Sequence, residues 1–327
     1  MLFLRSFLGM RRLSPSERLP LRRRLCLGSL FLGFLFWFAG ASLGPPVSAQ
    51  EALAPSSFLT LFGKGCAVRY TSGSLDRAHH ILKRLELLTY YFNLWNDVPT
   101  PTAVYVLFRE EWERVGFATD YGIPLRSSPT AIFAPAVGDD GTVSLWRQLL
   151  ATERLPLVPG VPLIGTAEHA ASLALADVLL QVEASRGFVQ RAHLLGREAW
   201  IGEVVAHVSA VTIFFMYERP ELPEITTAFA AMGETLGGES AFGGSDFAPG
   251  LAAQGGEELR KWLWFQAQFH RGALIIFEKD GKKAIKKLRR LSDKSGGLVP
   301  LPALLERYPD LRPWLDSSFA SASATSP

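Results

Sequence analysis

Apolar and polar positions follow two different periods along this chain of 327 residues, and the change of period divides it. In the first half, short β-rich runs dominate. "AVRY" (67–70), "TAVYVLF" (102–108, behind Pro99 and Pro101), "TAIFA" (130–134) and "TVSLW" (142–146, after the turn signal "GDDG") each read as a strand. Between the first two, apolar residues recur at Leu75, Ala78, Leu82, Leu85, Leu88, Phe92 and Trp95, a helical stripe that Ser74 can cap and that would pack on the sheet. From Thr166 onward the helical period takes over. Residues 166–185, 197–218, 257–280 and 282–293 read as four helices, the second stopped by Pro220 and Pro223. The expectation is an α+β protein, with a small mixed sheet and its packing helix in residues 50–165 and a mainly helical part in residues 166–316. The glycine-rich stretch 233–256 reads as a loop; without GKS or GKT or a preceding strand it is no phosphate cradle. Residues 317–327 are small and polar and read as a disordered tail.

Composition changes the picture at the N-terminus. Seven arginines against the single acid Glu17 precede an uncharged apolar run from Leu25 to Gly44, the pattern of an export signal. Val47 and Ala49 are small residues suited to cleavage after Ala49, which sets residues 1–49 apart; an uncleaved run 25–44 would instead anchor the chain in a membrane. Either way the folded part is expected outside the cytoplasm, in the periplasm or beyond. Without residues 1–49, 27 of the 34 basic and 30 of the 31 acidic residues remain, so the basic balance belongs to the signal. That excludes a general nucleic-acid footprint, and the local stripe "KDGKKAIKKLRR" (279–290) reads as a solvated helix face. Cys26 lies in the signal, so Cys66 would be left with no internal disulfide partner.

Candidate chemistry centres on Trp200-x-x-Glu203-x-x-Ala206. Taken with the sheet region, the "GIP…AIFAP" stretch (122–135), a preceding helix, a tryptophan-rich helix and "DGKKAIKKL" (280–288), this order resembles the gluzincin-like peptidase MA families over residues 65–316. The resemblance implies His-Glu-x-x-His on the first helix and Glu203 as third zinc ligand on the second. Two histidines four apart share a helix face and can grip one Zn²⁺, while the glutamate between them works on the bound water. No such motif occurs. The register "LADVLLQV" places Ala176 and Leu180 at the histidine positions and Asp177 at the catalytic glutamate, and a register starting at His169 keeps only one histidine. Neither alanine nor leucine offers a lone pair, so zinc is expected to be absent and no residue is assigned catalysis.

Two readings of the remnant stay open. Glu203 and His207, four apart, make a structural hydrogen-bonded pair, or they join Asp177 in an atypical metal site of an active hydrolase. His79, His80, His193 and His270 read as surface or ordinary helix filling, Cys66 as packing, and "GGSDF" around Ser245 lacks the form of a serine nucleophile. A peptide groove is expected at an edge strand "PTAIFAPA", with Ile132, Phe133, Trp200 and Trp262 as walls, although Trp262, Trp264 and Phe265 also fit a core. The sequence thus points to an exported pseudopeptidase that binds a peptide or an envelope partner, against the alternatives of an atypical hydrolase or a scaffold tethered by residues 25–44.

Overall fold

The computed structural model describes residues 58–92, 102–117, 119–128, 130–150, 152–155, 166–196, 198–217, 222–237 and 256–319. The expected signal with its apolar run, Cys26, Trp95, Ser245 and most of the glycine-rich stretch lie outside them.

The chain is α+β, and among the described residues all five strands come before residue 136. β1 (Leu59–Gly63) and β2 (Cys66–Tyr70) form an antiparallel hairpin whose turn uses Gly65 at φ 69°, a conformation glycine adopts without steric cost. α1 (Leu75–Phe92) crosses over to β3 (Thr102–Leu107), parallel to β2. After α2 (Arg109–Val115) come β4 (Leu125–Ser128) and β5 (Ala131–Pro135). The strand order is β1-β2-β3-β5-β4, with β3 and β5 parallel and β4 antiparallel to β5. β3 is buried on both faces: Val104 and Val106 enter the main core, and Tyr105 and Leu107 enter a second cluster with Trp112, Tyr121 and Phe133. This explains the almost unbroken apolar run that announces it in the sequence. On α1 the buried apolar residues are Ala78, Ile81, Leu85, Leu88 and Phe92, joined by Arg84 and Thr89, whereas Leu75 is exposed and Leu82 half-buried.

One expected strand is a helix. "TVSLW" lies inside α3 (Asp140–Leu150), whose buried residues Thr142, Val143, Trp146, Leu149 and Leu150 follow the helical period. The helix starts where it does because the Asp139 carboxylate accepts the Thr142 N–H (2.8 Å) while the Asp139 N–H donates to the Thr142 hydroxyl (2.8 Å). The "GDDG" signal is therefore a helix cap, and capping outweighs the β propensity of Thr-Val and Trp.

Thr166 caps α4 (Ala167–Arg191), its hydroxyl accepting the His169 N–H at 3.2 Å, and α4 is buried along most of its length. α5 (Ala199–Tyr217) and α6 (Leu222–Gly237) pack against it and α7 (Gly256–Asp280) packs on those two, followed by a 3-10 turn (Gly281–Lys283), α8 (Ala284–Lys294), α9 (Leu301–Arg307) and α10 (Leu311–Phe319). α5 is long and apolar enough to cross a membrane, but 72% of that window is buried inside the protein. An all-round apolar helix of this kind is what the centre of a helical layer requires. Two further expectations change. Gly233–Gly237 are helical rather than loop, and residues 317–319 end α10 instead of opening a tail, with the buried Ser318 hydroxyl bonded to Gln268 at 2.8 Å. One hydrophobic core runs from Val68, Val104 and Ile132 of the sheet to Val178, Val205 and Phe269 of the helices, so the change of architecture at Thr166 is not a gap between cores.

Candidate functional site

Charged residues are rare in α4, and each one inside the buried stretch meets a specific partner. Asp177 faces α1, where Arg84 Nη1 donates to Oδ2 at 2.7 Å and Arg77 binds both carboxylate oxygens, through Nη1 at 2.8 Å and through Nη2. The two guanidiniums hold the Asp177 carboxyl down to about 2 against the burial that would raise it. A carboxylate with a depressed folded-state pKa contributes stability that is present above its unfolded value and lost as pH falls through the folded one. The wild type is therefore expected to lose about 2–3 kcal/mol of unfolding free energy between about pH 4 and pH 2 that Asp177→Asn does not lose. Urea titrations of both proteins across that window measure it, and parallel pH profiles would refute the assignment.

About one and a half and two and a half turns further on, Glu183 and Arg186 face the other way. Arg126, reaching in from β4, donates to the Glu183 carbonyl and lies 3.4 Å from its carboxylate. It crosses α4 over Gly187, where a Cβ would sit 3.4 Å from its guanidinium. Arg186 is bound through Nη1 to the Glu183 carboxylate, through Nε and Nη2 to Glu203 Oε2 on α5 (2.8 and 2.6 Å), and through Nη2 to Gln266 Oε1 on α7 (2.8 Å). Burial alone would lower the pKa of Arg186, but Glu183 and Glu203 outweigh it and raise it above the usual arginine value. The side chains of Arg186 and Glu203 keep 17% and 18% exposure, so this cluster touches solvent at one end.

The network continues inward. Gln266 Oε1 also faces His207 Nε2 (3.1 Å), and His207 Nδ1 faces His270 Nδ1 (3.0 Å), both histidines fully buried. A carbonyl oxygen only accepts, so His207 carries its proton on Nε2 and its bare Nδ1 accepts from His270 Nδ1–H. His270 Nε2 is then left as a buried lone pair with no partner among the described residues. Burial pushes His270 down to about 3; burial, His270 and Arg186 together push His207 well below the ordinary range, so both rings are neutral at neutral pH.

Several expectations are corrected by this geometry. Glu203 and His207 do not bond to each other; Arg186 and Gln266 stand between them. Asp177 is taken by Arg77 and Arg84 and joins neither of them, and among the described residues no three His, Cys, Asp or Glu side chains are placed to hold a metal. His270 is not surface filling but the end of the network. Ala176 and Leu180 are core residues, whereas Arg186, the partner of Glu203 on α4, lies ten and six residues further on, about 15 and 9 Å along the helix. Glu183 and Arg186 are three apart, the spacing of the glutamate and second histidine in His-Glu-x-x-His. The register that meets Glu203 is therefore Val182-Glu183-Ala184-Ser185-Arg186. Neither Val182 nor Arg186 has a lone pair for zinc, and the guanidinium is bound to the oxygen a metal would need, so these residues do not fit that ion.

The expected groove is also displaced. β5 is an internal strand between β3 and β4, because a longer pairing with β3 takes the side left open by β4. Ile132 points into the main core and Phe133 into the second cluster, stacked on Tyr105 at 4.9 Å. Trp262, Trp264 and Phe265 are buried, and Trp200 is half-buried edge-on to Trp314. The sheet edge on this side is β4. Cys66 is buried and its thiol is pushed up to about 12, first by burial, in keeping with packing. His79, His80 and His193 are exposed. Glu183, Arg186, Arg126 and Gln266 escape a reading of motifs, although Glu183 and Arg186 carry a signal: charges inside an apolar helix must be paired. No protein-family model, curated protein or solved structure matches the chain.

Proposed function

We propose that this chain is an exported pseudopeptidase of gluzincin-like fold, in which an arginine has taken the place of the metal and the remaining task is to hold an extended peptide segment of a partner protein. The observation that carries this reading is the Arg186 guanidinium, seated between Glu183 and Glu203 with the spacing that the motif gives to its glutamate, second histidine and third ligand. A fixed internal cation balances the two carboxylates without any ion from solution and cannot lower the pKa of a water as zinc does.

The strand proposed to take the peptide is β4 rather than the internal β5. An edge strand offers unpaired backbone groups to an added strand, and this one sits beside the charged cluster through Arg126. Export rests on the arginine-rich start and the apolar run 25–44, whether cleaved or kept as a tether.

Elemental analysis of the full chain, purified without chelator and equilibrated with zinc, tests the reading. Zinc near zero per chain is expected, both for the wild type and for Glu203→Ala. A stoichiometric ion that disappears with Glu203→Ala would overturn it and make peptidase assays the next step.

A further inference from the structure

The C-terminal ends of α1, α5 and α7 meet at the 3-10 turn that leads into α8. The Tyr91 hydroxyl donates to the Lys282 carbonyl (2.8 Å), and Phe215 packs on Phe277, one turn before Gly281, with ring centroids 5.0 Å apart. Ala284, Ile285, Leu288 and Ser292 bury the inner face of α8. The outer side of the turn and of α8 carries Lys282 and Lys283, then Lys286 and Arg290, all exposed and none paired with a carboxylate among the described residues. Residues 283, 286 and 290 stand three and four apart, so their charges line one side. Other cations nearby have structural work: Arg289 donates to the Phe92 carbonyl at the end of α1, and Lys279 to the Arg307 carbonyl. The unpaired four are in excess of what the helix ends use.

Beside this row stand apolar side chains that the fold leaves in water. Phe215 is 37% and Met216 41% exposed at the end of α5, and Tyr90 next to Tyr91 is 62% exposed. Cations alone would suit any polyanion. Cations bordered by protruding Phe, Met and Tyr suit an interface that is anionic at its surface and apolar just beneath it.

We propose that the face formed by Lys282, Lys283, Lys286 and Arg290 with Phe215 and Met216 docks on an anionic lipid bilayer. The lysines and arginine meet headgroup phosphates while Phe215 and Met216 enter the boundary with the acyl chains. This is independent of the peptide-binding reading and concerns the opposite end of α7 from its first turn.

The test uses the full chain, whose N-terminal segment could itself hold it on vesicles, so the readout must be local. In a Cys26→Ser background, Met216→Cys is labelled with an environment-sensitive fluorophore; Cys66, 1% exposed, stays unlabelled. Glu257→Cys, at the exposed start of α7, is the remote control. On phosphatidylcholine vesicles containing phosphatidylglycerol, the label at position 216 should shift to the blue and the one at 257 should not, with the shift reversed by salt. Lys282→Glu, Lys283→Glu and Lys286→Glu together should weaken it about a hundredfold, at about fivefold per residue for loss of the attraction alone. Equal behaviour of the two labels, a shift of the same size on pure phosphatidylcholine, or a shift produced by duplex DNA in place of vesicles would each overturn the proposal.

Discussion

Val182→His combined with Arg186→His is expected to produce a chain that takes up about one zinc ion, in contrast to a wild type that takes up none. The two positions lie four apart on α4, on the side that already faces Glu203, so the two imidazoles and the Glu203 carboxylate would supply three ligands and leave a fourth position for water. Glu183 is already in place between them. Removing Arg186 frees the Glu203 oxygen that its Nε and Nη2 occupy, and without zinc the variant carries two carboxylates with no cation between them. Its stability should therefore depend on zinc by mass action, by about 2.7 kcal/mol at a hundredfold excess over Kd. Val182 is 1% exposed, and the imidazole must fit a packed site, so melting is measured with and without the ion. Placing histidines at Ala176 and Leu180 with glutamate at Asp177 makes the opposite prediction: no zinc, and two arginines of α1 left with a displaced carboxylate. A Val182/Arg186 variant that folds but gains no zinc would defeat the register proposed for α4.

Arg186→Met should be the most damaging single substitution at the site, costing about 3–5 kcal/mol. The loss comes less from the bonds themselves than from what remains. Glu183, with 7% of its side chain exposed, would face Glu203 with only Arg126 nearby, and Gln266 would lose one of its two donors. Adding Glu203→Gln in the same chain removes one of the uncompensated charges and should recover a substantial part of that cost. Chemical denaturation of the single and double variants decides the matter; a single variant within about 0.5 kcal/mol of wild type would mean that the cluster behaves as an exposed pair.

Much of the fold follows from the apolar pattern, and the exceptions have identifiable causes. α4, α5, α7 and α8 begin within about two residues of where their periodicity starts, because long buried helices leave a long signal. β4, "LRSS", carries no such pattern: it is a half-buried edge strand whose most informative residue, Arg126, points its charge at another element. α6 opens with Pro223 in its first turn, the position where proline is tolerated, so a residue read as the end of one helix belongs to the start of the next. The site was legible only in part. Trp200 and Glu203 mark α5 correctly, but a motif search aligned on Ala176 and Asp177 had no way to know that Asp177 is claimed by α1. Pairing across space, not spacing along the chain, separates Asp177 from Glu183.

The three charges inside the buried stretch of α4, Asp177, Glu183 and Arg186, point in three directions, to α1, to β4, and to α5 with α7. Apolar neighbours accept a helix that slides by a turn or rolls by a residue with modest loss, since one methyl group replaces another. Ions with partners on separate elements do not, because any such movement breaks the bonds to α1, β4, α5 and α7 together. α4 is thereby keyed into one axial position and one rotation, as a pin tumbler is set by notches of different depth. Filling all the notches with well-shaped apolar residues is expected to leave a stable helix that no longer knows where to stop.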